Sequence, residues 1–172
     1  IGITYAFQLE DVVPIPGDFS FRLLSTHVFE LEERIVEADG SIVVDKFVGE
    51  VGESKHRARA VLSWTNNELF FLWRTVYTGR AVDSYERAAF FEAQGIIDPL
   101  FLNVGDEWVH NLYMRYEPAQ WPHLSFYGGV NNIFNNYGPF LPQGTASGRA
   151  NNFHSSYGAE GRFLYMGLGV VF

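Results

Sequence analysis

The sequence predicts an all-β fold: an antiparallel transmembrane β-barrel, to which this chain contributes about seven strands. Three observations carry that prediction. Seven segments alternate apolar and polar residues with a period of two. The connections between them are short and long in turn. Aromatic residues make up 17% of the 172 residues, yet the mean hydropathy is only -0.04. A water-soluble domain hides its aromatics in one interior, whereas a membrane barrel shows them to lipid and in two interfacial girdles around a polar lumen. No stretch approaches the roughly 18 consecutive apolar residues of a spanning helix, so helical membrane proteins are excluded.

The strands are expected at 1–9, 18–31, 55–65, 68–79, 107–117, 121–132 and 161–172. The first begins in mid-alternation with Ile1-Gly2-Ile3-Thr4-Tyr5 and no leader-like segment, which reads as a processed or truncated chain. Arginine at bilayer mid-depth costs roughly 2–4 kcal/mol on the lipid side, so the arginines mark the lumen. In 18–31, Arg22 places Ser20, Leu24 and Thr26 inside, with Phe19, Phe21 and Leu23 toward lipid. In 68–79, Arg74 sends Leu69, Phe71, Trp73 and Tyr77 outward. In 107–117, Asn111, Tyr113 and Arg115 alternate with Leu112, Met114 and Tyr116, and in 121–132, Leu124, Phe126, Gly128 and Val130 alternate with Ser125, Tyr127, Gly129 and Asn131. The last segment is apolar at every second position, Leu164, Met166, Leu168, Val170 and Phe172. It resembles the terminal recognition strand read by the outer-membrane barrel assembly machinery.

The separators near 10–17, 66–67 and 118–120 are short, and those at 32–54, 80–106 and 133–160 are long. Antiparallel neighbours put successive connections at opposite rims, so short turns fall on the periplasmic side and long loops outside. Seven is an odd count, and bacterial single-chain barrels use even ones. Either a strand is hidden, at Ile42-Val43-Val44 or Ile96-Ile97, or the chain is a fragment of a larger barrel. The fragment is the preferred reading, because an open sheet would leave two unpaired edges in hydrocarbon.

Two motifs bear a family likeness. Tyr127-Gly128-Gly129-Val130-Asn131-Asn132-Ile133-Phe134-Asn135-Asn136 resembles the penultimate-strand signature of TonB-dependent outer-membrane receptors, and Gly161-Arg162-Phe163-Leu164-Tyr165 with the closing Phe172 is similar to their final strand. Lys55-His56-Arg57-Ala58 and Trp73-Arg74-Thr75-Val76-Tyr77-Thr78-Gly79 resemble earlier strands of the same barrels. The resemblance covers essentially the whole chain. It implies the C-terminal segment of a 22-stranded barrel, with the plug domain and the N-terminal strands elsewhere. It further implies uptake of a scarce nutrient energised by TonB through that N-terminal part, with a ferric siderophore as the default cargo and vitamin B12, carbohydrates and other chelates behind it.

Ligand contacts are expected in the outer loops, from Arg80, Tyr85, Arg87, Arg149, Asn151 and His154, because cations and aromatics there suit an anionic chelate. Loop-to-loop packing is the blander reading of each. A short helix is expected near Ser84 to Gln94, capped by Asp83 or Ser84. The acidic run Glu30, Glu32, Glu33, Glu37 and Asp39 reads as a solvated face, with cation binding as the lesser alternative. The five histidines are scattered with no pair at metal-ligand spacing, and cysteine is absent, so no metal site and no cofactor is expected. No nucleophile and base arrangement points to an enzyme. The formal charge of -8 argues against a nucleic-acid partner. Expected partners are outer-membrane lipid and lipopolysaccharide, TonB, and the remaining strands and plug. A small autonomous barrel, acting as a lipid-modifying enzyme or an adhesin, is the alternative, and a soluble lipocalin-like binder is the third.

Overall fold

The computed structural model describes residues 1–8, 15–96, 102–141, 152–153, 157 and 160–171. In chain order the strands are β1 (Gly2–Gln8), β2 (Asp18–His27), β3 (Glu32–Val36), β4 (Ile42–Lys46), β5 (His56–Asn66), β6 (Leu69–Thr78), β7 (Ala81–Val82), β8 (Asn103–Val104), β9 (Glu107–Tyr116), β10 (Leu124–Asn131), β11 (Phe140–Leu141), β12 (Asn152–Phe153) and β13 (Phe163–Val170). One helix, α1 (Tyr85–Ala93), lies between β7 and β8.

Seven strands form one antiparallel sheet in the order β1-β2-β5-β6-β9-β10-β13. These are the seven segments whose alternation is visible in the sequence, with ends trimmed by a few residues. The expected strand from 121 starts later, at Leu124, because the Trp121 N–H donates to Pro118 and the Leu124 N–H to Trp121, forming turns. The sheet is open: β1 and β13 are its edges and do not pair with each other, so the described residues form a sheet and not a closed barrel. Ile42-Val43-Val44 is a strand but does not join this sheet. It pairs with β3 in a separate hairpin, closed by Gly40 at φ 84° and by the Glu37 N–H donating to Ser41. Ile96 follows α1, and Ile97 lies outside the described residues.

The register assigns every side chain of the sheet to a face. Arg22 faces Val61, Val61 faces Arg74, and Arg74 faces Asn111, so these share one side. On the same side stand Asp18, Arg57, Arg59, Glu107 and Arg115. Those are all the Asp, Glu, Lys and Arg residues of the seven strands. The opposite face holds Ile3, Tyr5, Phe7, Phe21, Leu62, Trp73, Leu112, Met114, Val130, Met166 and their row neighbours, with no charged residue.

Aromatic contacts run along that charge-free face, with Trp73 meeting His110 at 5.8 Å in mid-strand. Toward the short turns, Phe7 stacks on Phe19 at 5.5 Å, Phe19 meets Trp64 at 6.3 Å, and Tyr116 stacks on Phe126 at 6.5 Å. Toward the long loops, Tyr77 meets Trp108 at 4.5 Å and His110 meets Phe134 at 5.1 Å. β2, β6 and β9 have 10 residues each and β5 has 11, while β1 has 7 and β10 and β13 have 8 each.

Among the described residues neither face of the sheet is covered by a second layer. Within its strands only Thr78, Glu107 and Asn111 are buried among the described residues, while Met166 is 90% exposed. The buried apolar cluster, Val51, Ala81, Val104 and Tyr157, lies among the long connections. Among the described residues no helix is long and apolar enough to cross a membrane.

Glycine explains how the last two strands pack. Tyr127 faces Gly167 and Gly129 faces Tyr165 in the β10–β13 register. Each tyrosine ring lies across the opposing glycine, in the space a Cβ would need. Large and small residues therefore interlock on the charged face.

Candidate functional site at the long-loop rim

The long connections gather at one end of the sheet. The β3–β4 hairpin rises from the first, residues 28–55, and α1 with the β7–β8 pair occupies the second, residues 79–106. The helix starts where the sequence places it: Ser84 is extended at φ -160°, and its hydroxyl accepts the Arg87 N–H at 3.3 Å, satisfying one free amide of the first turn.

The two connections are stitched together. Val51 N–H donates to Val82 and Val82 N–H to Gly49, both at 2.8 Å. The Tyr85 amide donates to a Glu50 carboxylate oxygen at 2.6 Å, and the Tyr85 hydroxyl donates to the Val48 carbonyl at 2.8 Å. Gly49 stands at φ 96° with the Tyr85 hydroxyl 2.6 Å from where a Cβ would be, so only glycine fits without displacing the ring. Burial raises the Glu50 carboxyl above its ordinary value, with Asp83, Asp45 and Glu86 adding to the rise and the Tyr85 amide opposing it. Arg57 donates to the Gly52 carbonyl from below.

Two hollows flank this stitch. One, of about 930 Å³, is lined by Ser25, Lys55, His56, Arg57, Ala58, Tyr77, Arg80, Tyr85 and Asp106 among others. Its floor of Ser25, Ala58 and Tyr77 belongs to the charge-free face. The other, of about 1050 Å³, lies between the hairpin and α1 and is bordered by Phe29, Leu31, Phe47, Glu50, Tyr85 and Glu86 among others.

Of the residues expected to touch ligand, Arg80 and Tyr85 come to the first hollow together. Arg80 is exposed, and its amide donates to Asp106 at 2.8 Å, which fixes the backbone and leaves the guanidinium at the rim. Tyr85 spends both its amide and its hydroxyl on the stitch. Arg87 sits in the first turn of α1, half-buried, apart from that lining. Arg149, Asn151 and His154 lie outside the described residues, as does Phe172 of the terminal apolar series. Leu164, Met166, Leu168 and Val170 do share the charge-free face of β13.

The acidic run does not converge. Glu32 ion-pairs with Arg34 at 2.6 Å, which lowers its carboxyl below the ordinary value, and Asp39 accepts the Ser41 N–H at 2.9 Å. Among the described residues no group of three or more His, Cys, Asp or Glu side chains is placed to hold a metal. What the sequence missed is the pairing of His27 with His56, whose Nδ1 atoms are 3.0 Å apart. They stand 29 positions apart, so only strand register brings them together.

The asparagines of the 131–136 motif form a structural knot. Asn132, buried at φ 52°, accepts the Asn136 N–H at 2.9 Å and donates through Nδ2 to the carbonyls of Asn136 and Glu160. Asn136 donates to the Trp108 carbonyl at 2.7 Å, and Asn135 accepts the Arg162 N–H at 2.8 Å. These bonds tie the start of the third long connection to its end.

Fold and rim together define a class of architecture: an open antiparallel meander with one charge-free face, one charged face and its long connections at a single end. Comparisons with protein-family models, with curated proteins and with solved structures return no match.

Proposed function

We propose that this chain is the C-terminal seven-strand segment of an outer-membrane β-barrel, and that the barrel is a TonB-dependent transport receptor for a scarce nutrient, with a ferric siderophore as the first candidate. The observation that carries the membrane reading is the segregation of charge. Asp18, Arg22, Arg57, Arg59, Arg74, Glu107 and Arg115 share one face of the sheet, and the other face carries no Asp, Glu, Lys or Arg and is mostly apolar and aromatic, its polar members being Ser25, His27, His56, Asn66, Thr75 and His110. Lipid is the environment that accepts such a face uncovered, since an apolar area of this extent promotes association in water.

Strand parity supports a larger barrel. Neighbours alternate in direction, so in a seven-stranded sheet β1 and β13 run the same way, and their edges cannot pair antiparallel with each other. The completing part then supplies an odd number of strands, as a 22-stranded barrel would. On the charged face, Arg74 Nε and Glu107 Oε1 are buried without a hydrogen-bond partner among the described residues, which suits a polar plug filling the lumen. The transport assignment rests on the resemblance of the 127–136 and 161–165 motifs. At the rim, Lys55 and Arg80 are cations suited to an anionic chelate.

The test is a denaturing gel of the detergent-extracted protein, heated and unheated, together with its intact mass. Heat-modifiable migration of a species carrying several hundred further residues supports the receptor reading. A monodisperse, heat-modifiable species of 172 residues sinks it in favour of a small autonomous barrel. A protein that stays monomeric in buffer without detergent sinks the membrane reading altogether.

A further inference from the structure

His27 and His56 are register partners at the long-loop end of β2 and β5. Just beyond them the Val28 N–H donates to the Lys55 carbonyl at 2.9 Å, which makes the histidines a non-hydrogen-bonded pair, the arrangement that brings facing side chains closest. Their Nδ1 atoms are 3.0 Å apart and their ring centroids 4.3 Å. Both residues are exposed on the charge-free face, and Phe29 packs against the His27 ring at 4.3 Å. On the far side of His56 the chain continues to Gly79, whose N–H donates to the His56 carbonyl at 2.8 Å and which carries no side chain to cover the ring. The backbone is thus held on both sides while both residues stay exposed.

We propose that His27 and His56 form a two-imidazole chelating site for a divalent transition metal of the Cu(II) or Ni(II) type, bound through both Nδ1 atoms at the outer rim. Imidazole nitrogen is the ligand these cations favour. With metal–nitrogen bonds of about 2.0–2.1 Å, nitrogens 3.0 Å apart subtend about 95° at the metal, the angle of adjacent positions in a tetragonal field. Tetrahedral zinc would need the nitrogens opened to about 3.4 Å.

The protons balance without redox chemistry. In the metal-free pair one ring donates its Nδ1 hydrogen to the lone pair of the other. On binding, the donor ring becomes the Nε2–H tautomer by exchange with solvent, and a small rotation of each exposed ring turns both lone pairs to one point. Water or an anion fills the remaining positions. The nearby positive charges of Lys55 and Arg80 lower the affinity for the bare cation and favour an anionic co-ligand such as chloride.

The site does not rest on the transport reading, because the pairing belongs to the sheet itself. It is tested by titrating the purified protein with copper(II) chloride or nickel(II) chloride, and by recording the copper electron paramagnetic resonance spectrum. One equivalent is expected, with nitrogen hyperfine coupling from two imidazoles. His27→Ala and His56→Ala should each weaken binding by more than about tenfold, while His123→Ala leaves it unchanged. Absence of binding, fewer than two coupled nitrogens in the unsubstituted protein, or equal loss in His123→Ala overturns the proposal. The spectrum of the unsubstituted protein decides the matter even where a substituted chain fails to fold.

Discussion

The Asn111 side-chain oxygen accepts the backbone N–H of Asn132 at 2.9 Å. Asn111 stands on β9 and Asn132 just past the end of β10, so the bond seals the point where the sheet hands over to its third long connection. Asn132 is buried in the left-handed region, where asparagine is tolerated and alanine is strained.

Asn132→Ala is therefore expected to destabilise the fold by about 2–4 kcal/mol, through lost buried hydrogen bonds plus backbone strain. Asn132→Gly loses the same bonds without the strain and should be milder by about 1 kcal/mol. Urea unfolding followed by tryptophan fluorescence ranks the two; alanine equal to or milder than glycine would refute the strain argument.

The interlock of tyrosine with glycine makes its own forecast. At Gly129 an added Cβ meets the Leu112 carbonyl at 2.5 Å as well as the Tyr165 ring, whereas at Gly167 the three nearest atoms all belong to the Tyr127 side chain, which can swing away. Gly129→Ala is expected to cost about 1–3 kcal/mol and Gly167→Ala less. The same unfolding assay reads the order, and the reverse order would show that β10 yields more readily than the Tyr127 ring.

Charge placement is the sharpest probe of the membrane reading. Leu62 lies on the charge-free face and Ser63, its neighbour, on the charged face. Leu62→Arg should cost about 2–4 kcal/mol in folding into lipid vesicles, and Ser63→Arg close to none. Equal tolerance of both, scored by heat-modifiable migration, would mean that the charge-free face does not meet hydrocarbon.

Acid should tighten the stitch between the first two long connections. The Glu50 carboxyl titrates above its ordinary value of 4.5, so the folded rim holds the proton more firmly than the open one. The resulting stability is fully present below the ordinary value and is lost as pH rises through the raised one. Amide exchange at Val51 and Val82 should quicken across that window and lose its pH dependence beyond intrinsic chemistry in Glu50→Gln. A Glu50→Gln profile identical to the parent would remove Glu50 as the cause.

Much of this architecture is written locally in the chain. Alternation with a period of two marks all seven sheet strands, because a pleated strand sends successive side chains to opposite faces whatever its neighbours are. Arg22, Arg74 and Arg115 mark the charged face for the same reason, and Ser84 announces α1 because a cap bonds only three residues ahead. Ile42-Val43-Val44 stood out as a possible strand and is β4, but its partner β3 and their separation from the main sheet were not legible. Ile35 and Val36 follow directly on Glu32, Glu33 and Arg34, and without a face to bury the segment shows no clean alternation. Tyr85 as a strut depends on the packing of α1 against the first long connection, 35 to 37 positions away, and the His27–His56 pair on the register of β2 and β5, which sets residues 29 positions apart side by side. By itself the sequence determined the seven strands of the main sheet, their alternating faces and which of their connections are long, since those follow from neighbours along the chain. Only the tertiary structure decided which loops clasp, which histidines meet and which edges stay open, since those follow from pairing between distant strands.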